Sequence, residues 1–463
     1  MAEETTRVPM REKVGYAFGD VASCIFWQTI GSFLLFFYTD VFGIPAAAAG
    51  TMFLVTRLWD AINDPMMGTI ADRTKSRWGR FRPYLLWMAA PFGIIGVLLF
   101  TTPDFGPTGK LVYAYITYNL MMMVYTAINI PYSSLLGVIT SSPVERVSLS
   151  SFKFVGAFTG NLLVQAFTLP LVAYFGQGNR AVGFQHTMML YGVVALALFV
   201  VTFLSVKERV QPAAGQKSKV VEDLRDLSKN KPWFILLLLG LFTLAYVAIR
   251  NGITIYYFRY YVKDEMLYNS YMVSSTFAVI VGIFVVERLA RKYGKVRMYM
   301  ILMAISTVMT AVFYWLRPQD VFWMFTLNII ANFTMGPTSP LIWSMYADAA
   351  DWSEWKTGRR ATGLVFSAAT FSQKMGWAIG GAVPGWLLTL FHYQPGVAEQ
   401  LPESIFGLRL MMSFIPAVGS ILATLFVMFY KLDERTMKQI ETELNERRAR
   451  AEQAAASGAE ATT

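Results

Sequence analysis

Twelve apolar runs, each about 20 residues long, recur through this chain and constrain its fold more than any other feature. A helix of that length crosses a hydrocarbon core of ~30 Å. Inside lipid each backbone N–H and C=O must be satisfied within the structure, which leaves helices as the spanning element for runs of this kind. Charged residues make up 15% of the 463 residues, against about 25% in a soluble chain, and mean hydropathy is +0.43. The expectation is an all-α polytopic membrane protein of twelve transmembrane helices, near 15–39, 47–71, 83–101, 111–137, 149–174, 185–206, 233–261, 269–290, 298–316, 321–346, 361–391 and 406–430. The first run is not preceded by a cleavable leader pattern and is expected to stay as an anchor.

The net charge of +10 raises the question of nucleic acid, but the basic residues sit in short loops between spans. The loop after the second run carries Arg73, Lys75, Arg77, Arg80 and Arg82, whereas the loop after the third carries Lys110 alone. This positive-inside asymmetry predicts no nucleic-acid partner and places both termini in the cytoplasm. Cys24, the sole cysteine, excludes an intramolecular disulfide. His186 and His392 are isolated near span ends and read as solvated surface groups. No phosphate-cradling loop, metal-ligand cluster or nucleophile elbow is present, so neither enzymatic activity nor a resident cofactor is expected.

A polar connection over 208–232, holding Arg209, Lys217, Lys219, Arg225, Lys229 and Lys231, divides the chain into a six-helix segment 1–207 and another over 233–431, with a tail 432–463. "DRTKSRWGRFR" from Asp72 is echoed by "ERLARKYGKVR" from Glu287, 215 residues later. Two parallel six-helix halves are the architecture of secondary transporters that alternate access around a central site. "GTIADRTKSR" (Gly68 to Arg77) resembles the loop motif of the major facilitator superfamily. That resemblance implies a latch role for Gly68, Asp72, Arg73 and Arg77; a loop that only sets topology is the alternative.

The second run contains two acids at membrane depth, in "LWDAINDP". Residues three and four apart share a helix face, so Asp60, Asn63 and Asp64 form one oxygen-rich patch. A charge at the bilayer centre costs about 2.5–3.5 kcal/mol on insertion scales, so such groups face cavities or partners. Two carboxylates this close share a proton or hold a small hard cation between them. A salt bridge to Arg57 or to a lysine on another helix remains the alternative. Lys374, in "TFSQKMGWAIGG", is the lysine of an apolar helix interior and needs an anionic partner, for which Asp60 and Asp64 stand out; snorkelling is the other option.

"FLVTRLWDAINDPMMG", "SRWGRFRP", "TYNLMMMVYTAINIPYSSL" and "YADAADWSEWKTGRRATG" resemble the glycoside–pentoside–hexuronide:cation symporter family, from about Lys13 to Leu432. The resemblance implies that Asp60, Asn63 and Asp64 seat a coupling Na⁺, Li⁺ or H⁺, with Thr126 and Lys374 belonging to that site; Asp60 and Asp64 would be the metal ligands were the ion Na⁺. The sugar side departs from the family's melibiose permease pattern. Cys24 and Asn129 stand at two aspartate positions, Ser133 at a tryptophan and Lys153 at an arginine. Asp20, one turn before Cys24, is a substitute, and "GD" there resembles the pentoside and glucuronide branches. Asn129 donates to and accepts from hydroxyls, and Trp27, Tyr125, Tyr132 and Trp343 are candidate stacking faces; each alone is more often packing than ligand, and as a set facing a midplane cavity two of them are expected to touch substrate. Arg250, deep in the seventh run, has two partners open: Asp20, or the carboxylate of a uronide. The acidic-then-basic segment from Tyr346 to Arg360 reads as a solvated loop contributing to a cytoplasmic gate.

The expected function is symport of a sugar with a monovalent cation across a bacterial inner membrane, by a chain sufficient as a monomer within the bilayer. A major facilitator carrier for a non-sugar solute or lipid is one rival, and a sugar sensor that does not transport is another.

Overall fold

The computed structural model describes residues 7–140, 142–209, 230–357 and 362–432, and 436–440, 442–444 and 446 in the tail. Most of the 208–232 connection, Arg359 and Arg360 of the acidic-then-basic segment, and the end of the tail lie outside the described residues.

The described residues form helices and connecting turns: α1 (Met10–Phe36), α2 (Ala46–Arg73), α3 (Arg82–Trp87), α4 (Ala89–Leu99), α5 (Pro107–Ile139), α6 (Pro143–Gly176) and α7 (Arg180–Ser205), then α8 (Lys231–Tyr256), α9 (Leu267–Tyr293), α10 (Lys295–Val312), α11 (Val321–Met335), α12 (Thr338–Thr357), α13 (Thr362–Leu390), α14 (Pro402–Met412) and α15 (Phe414–Met428). They make twelve passes, because α3–α4, α11–α12 and α14–α15 are each one pass broken in two. Each break, at Met88, at Gly336–Pro337 and at Ser413, lies three or four residues before a proline, Pro91, Pro340 and Pro416. A proline ring clashes with the carbonyl four residues back and brings no N–H to bond it. Pro65, Pro131, Pro170 and Pro384 nonetheless lie inside unbroken helices. The tenth pass runs to Thr357, well beyond the expected end at 346.

Helix α1 packs along α6 and α7, α13 packs along α8, and α2 of the first six passes lies against α13 of the second. Small residues permit the closest approaches. A Cβ on Gly380 would stand 2.7 Å from the Ala245 carbonyl oxygen of α8, and one on Gly385 2.4 Å from that of Ala46 in α2. With no water to expel between helices in lipid, such backbone proximity is the main source of packing energy.

At the end opposite the termini, α1 and α8 each continue into a π-helical turn, Phe37–Phe42 and Tyr257–Val262. These turns meet. Asp40 of the first accepts hydrogen bonds from Tyr260 of the second and from Tyr393 (2.7 Å), while the hydroxyls of Thr39 and Tyr256 are 2.7 Å apart. Arg180 and Glu265 add an ion pair at 2.5 Å. At the terminus end, ion pairs stay within each set of six passes: Glu12 with Arg209 (2.6 Å), Lys13 with Glu145 (2.9 Å), and Lys295 with Asp348 (2.6 Å). The bonds of Asp40, Thr39 and Arg180 across the two sets close the bundle at its far end.

The echoed loops share a backbone feature. Gly79 and Gly294, each following an aromatic residue and 215 positions apart, both adopt positive φ, +112° and +89°. Glycine takes this region without steric cost.

Candidate functional site

Helix α2 presents Asp60 and Asp64 one turn apart, facing α5 and α13. The Thr126 hydroxyl of α5 lies between them, 2.9 Å from Asp60 Oδ1 and 3.1 Å from Asp64 Oδ1. Lys374 of α13 donates from Nζ to Asp60 Oδ2 at 3.2 Å and also to Asp64. The structure therefore brings four of the expected residues together, from three helices and both sets of passes. Asn63, the fifth, makes no hydrogen bond to a described residue. Arg57, one turn before Asp60, holds its guanidinium 3.8 Å from Asp60 Oδ2. Both alternatives left open for the acids, Arg57 and a lysine from another helix, are thus present at once.

The cluster is well shielded, with side-chain exposures of 5% for Asp60, 19% for Asp64 and 23% for Lys374. Two cations and two carboxylates balance. This is the condition for keeping ionised groups at membrane depth, where an unpaired charge pays a desolvation penalty of several kcal/mol. Among the described residues no three His, Cys, Asp or Glu side chains converge; the oxygens gathered here are those of two carboxylates and a hydroxyl. Sodium or lithium accepts such oxygens.

An aromatic group adjoins the charges. Arg57 lies over the Trp27 ring at 4.2 Å, and Trp27 packs against Tyr125 (5.0 Å between centroids) and edge-on to Trp377 (6.1 Å). Trp377, absent from the sequence-based candidates, sits three residues after Lys374 on the same face of α13. That i,i+3 spacing was the available signal. Asn129, also partly buried, donates to the Tyr125 carbonyl at 3.2 Å.

The remaining sugar candidates are dispersed. Tyr132 is fully buried, stacked on Tyr16 at 4.8 Å, with its hydroxyl donated to the Tyr16 carbonyl at 2.7 Å. It is a packing residue in this conformation and offers no face to a sugar. Lys153 Nζ lies 5.3 Å from the Tyr132 ring and 3.5 Å from Ser133 Oγ. Asp20 is buried and Cys24 half-buried; among the described residues Asp20 forms no ion pair. Trp343 stands apart from Trp27, in a small cavity with Thr243 and Gln373. The pairing of Arg250 with Asp20 does not occur. Arg250 bonds instead to the hydroxyls of Tyr246 (3.1 Å) and Tyr271 (3.0 Å), because α8 turns its guanidinium toward α9, α10 and α11.

Of the latch residues, Gly68 is half-buried and Arg73 exposed, Arg77 stacks on Trp78 at 4.4 Å, and the Asp72 side chain lies outside the described residues. The loop's principal anchor is a residue the sequence did not flag. The Glu208 carboxylate accepts the backbone N–H groups of Arg80, Phe81 and Arg82 at 2.8–2.9 Å. Three converging N–H donors at a helix start form an anion site, and nothing in the local sequence marks a glutamate 126 residues downstream as its occupant.

The family model described as MFS/sugar transport protein matches residues 15–434. The inner membrane symporter YicJ of Escherichia coli is 36% identical, over 96% of each chain. The isoprimeverose transporter of Lactiplantibacillus pentosus is 34% identical over 94% of this chain and 91% of its own, and a glucuronide carrier protein homolog of Escherichia coli is 30% identical over 95% and 96%. Among solved structures, the nucleoside transporter NupG superposes with a TM-score of 0.67 at 13% identity, covering 91% of this chain and all of that one. An inward-facing bacterial homolog of the lysosomal transporter Spinster gives the same TM-score and identity, covering 93% and 97%. At that identity both show the fold alone. The chain is a polytopic membrane protein belonging to the glycoside–pentoside–hexuronide:cation symporter family of the major facilitator superfamily.

Proposed function

We propose that this chain carries a sugar across the bacterial inner membrane together with Na⁺, Li⁺ or H⁺, with both termini cytoplasmic and residues 1–207 and 233–431 acting as the two moving halves. The observation that carries the reading is the bridge from Lys374 to Asp60 and Asp64, which ties α13 to α2 at mid-membrane.

In this state the Lys374 ammonium takes the place of a bound cation. An ion entering between Asp60 and Asp64, beside Thr126, displaces Lys374 from both carboxylates and removes a tether between the halves. A sugar against Trp27 and Tyr125 contacts the same network through Arg57, which touches both Trp27 and Asp60. Cation and sugar then favour each other's binding, and reciprocity requires each to raise the other's affinity by the same factor. Once both are seated, closure over the site and opening at the far end complete the exchange of access.

The test is uptake of a panel of radiolabelled glycosides, pentosides and uronides into proteoliposomes under imposed Na⁺, Li⁺ or proton gradients. Accumulation is expected under at least one gradient and is lost in Asp64→Asn. Uptake indifferent to all three gradients, or unchanged in Asp64→Asn, would leave the two aspartates a structural role only.

A further inference from the structure

We infer that the cavity around Arg250 is a binding subsite for the carboxylate of an acidic sugar. The inference rests on the sugar-transport reading and goes further by naming the substrate's charge. Arg250 is 7% exposed, on α8 in the middle of a membrane span. Its four hydrogen bonds all go to neutral oxygens: Tyr246 (3.1 Å) and Thr310 (3.3 Å) at Nη1, Tyr271 (3.0 Å) and Asn328 (3.5 Å) at Nη2. Among the described residues no carboxylate forms an ion pair with it, and its Nε–H has no acceptor. The other arginine equally buried among the described residues, Arg57 at 7%, lies 3.8 Å from Asp60. A guanidinium stays charged at any accessible pH, so Arg250 holds an uncompensated positive charge at membrane depth, and a buried charge without a counter-ion is strongly disfavoured. Intramembrane charges that lack a protein partner mark the path of a ligand.

The surroundings specify more than a bare anion. The cavity holds about 140 Å³, close to the ~150 Å³ of cavities that admit a six-membered ring. Its wall carries the amides of Gln28, Asn161, Gln165, Asn251 and Asn332, contributed from both sets of passes. Amides both give and take hydrogen bonds and so suit hydroxyls of either polarity. Asn161 Oδ1 is buried with no donor, an acceptor that a sugar hydroxyl would satisfy. A carboxylate on a polyhydroxylated ring matches this ring-sized, amide-lined space, one oxygen taking the free Nε–H and the other displacing a neutral acceptor from the adjacent Nη–H.

The experiment uses the full chain in lipid nanodiscs and isothermal titration with matched pairs: glucuronate and glucose, galacturonate and galactose, methyl β-D-glucuronide and methyl β-D-glucoside, with acetate as the bare carboxylate. At least one acid is expected to bind about tenfold or more tightly than its neutral partner and than acetate. Arg250→Gln brings that ratio to about one, and Arg250→Lys, with charge but no fork, keeps part of it. Equal affinities in every pair, a ratio that survives Arg250→Gln, or acetate binding as tightly as the uronates would each overturn the assignment. Should the glutamine variant not fold, the wild-type ratio and the lysine variant decide. Coupled uptake that treats acid and neutral sugars alike removes the subsite only, whereas an Arg250-dependent acid preference without gradient-driven uptake removes the symport reading only.

Discussion

Lys374 on α13 and Asp60 on α2, 314 residues apart in the chain, are joined by a hydrogen-bonded ion pair of 3.2 Å at mid-membrane. Together with Asp64 and Arg57 the pair closes a neutral cluster that spans both sets of passes. On the proposed reading, the ammonium and a coupling ion compete for the same two carboxylates.

Removing the competitor should therefore tighten the seat. In Lys374→Gln, the concentration of coupling cation giving half-maximal stabilisation of the purified protein is expected to fall, on the order of tenfold for ~1.4 kcal/mol of lost competition. Sugar accumulation falls in the same variant, because the tether that reports cation binding to α13 is gone. Thermal-shift titrations with NaCl and LiCl against choline chloride measure the first effect. An unchanged or weaker cation response would mean that Lys374 does not share the seat.

Trp27 and Tyr132 were equivalent candidates by sequence, and the structure separates them. Trp27→Ala should weaken sugar binding at least tenfold through loss of a stacking face beside Arg57. Tyr132→Phe removes only the bond to the Tyr16 carbonyl, costs about 1 kcal/mol of stability and leaves sugar affinity within twofold. Equilibrium binding and melting temperature, measured on both variants, check the distinction. The reverse pattern would place the sugar nearer to α5.

The far-end closure depends on Asp40, whose carboxylate receives Tyr260 and Tyr393 from the second set of passes. Asp40→Leu leaves both hydroxyls without that acceptor and should shift the population toward a far-end-open form. Cys24 is the sole cysteine, so a Cys24→Ala background carrying Phe36→Cys gives a clean reporter of maleimide labelling from that side. Labelling is expected to speed up several-fold in Asp40→Leu. Equal rates would show that Arg180–Glu265 and the aromatic contacts alone hold the closure.

Gly380 lets α13 lie against the Ala245 carbonyl of α8. Gly380→Leu pushes the helices apart, at a cost of about 1–3 kcal/mol for overpacking, and shifts Lys374 two turns earlier on the same helix. Both melting temperature and cation response should drop. Loss of stability with an unaltered cation response would show that α13 can separate from α8 without moving its lysine.

Outside the membrane one charge has a defined pH consequence. Lys13 donates to Glu145 and, as the leading cause, lowers its carboxyl below the ordinary value. A group depressed in the folded state contributes stability above its unfolded pKa and loses it as pH falls through the folded one. The link from α1 to α6 should therefore be intact at pH 7 and weaken below about pH 4. Lys13→Met, which removes the partner, should flatten that part of the pH–stability profile in urea titrations.

Local chemistry in the sequence determined a great deal. Apolar run length required helices that span a membrane, and all twelve passes fall where those runs lie, because each helix satisfies its own backbone. The i,i+4 spacing placed Asp60 and Asp64 on one face for the same reason: a helix is a local object. The breaks in three passes were less legible, since eight interior prolines look alike and only neighbouring helices decide which backbone bonds are given up. Contacts between distant segments were decided by tertiary structure alone. Glu208 reaching the loop at Arg80, Trp377 joining Trp27, and Tyr132 turning to Tyr16 in place of a cavity depend on how helices are rotated and how closely glycines let them approach. Arg250 carries the same lesson. Its sequence showed a charge in need of a partner, and the fold supplied oxygens without charge around a space of sugar-ring size. A residue's chemistry is written in the chain, while the identity of what it faces is set by packing between helices that sequence spacing does not encode.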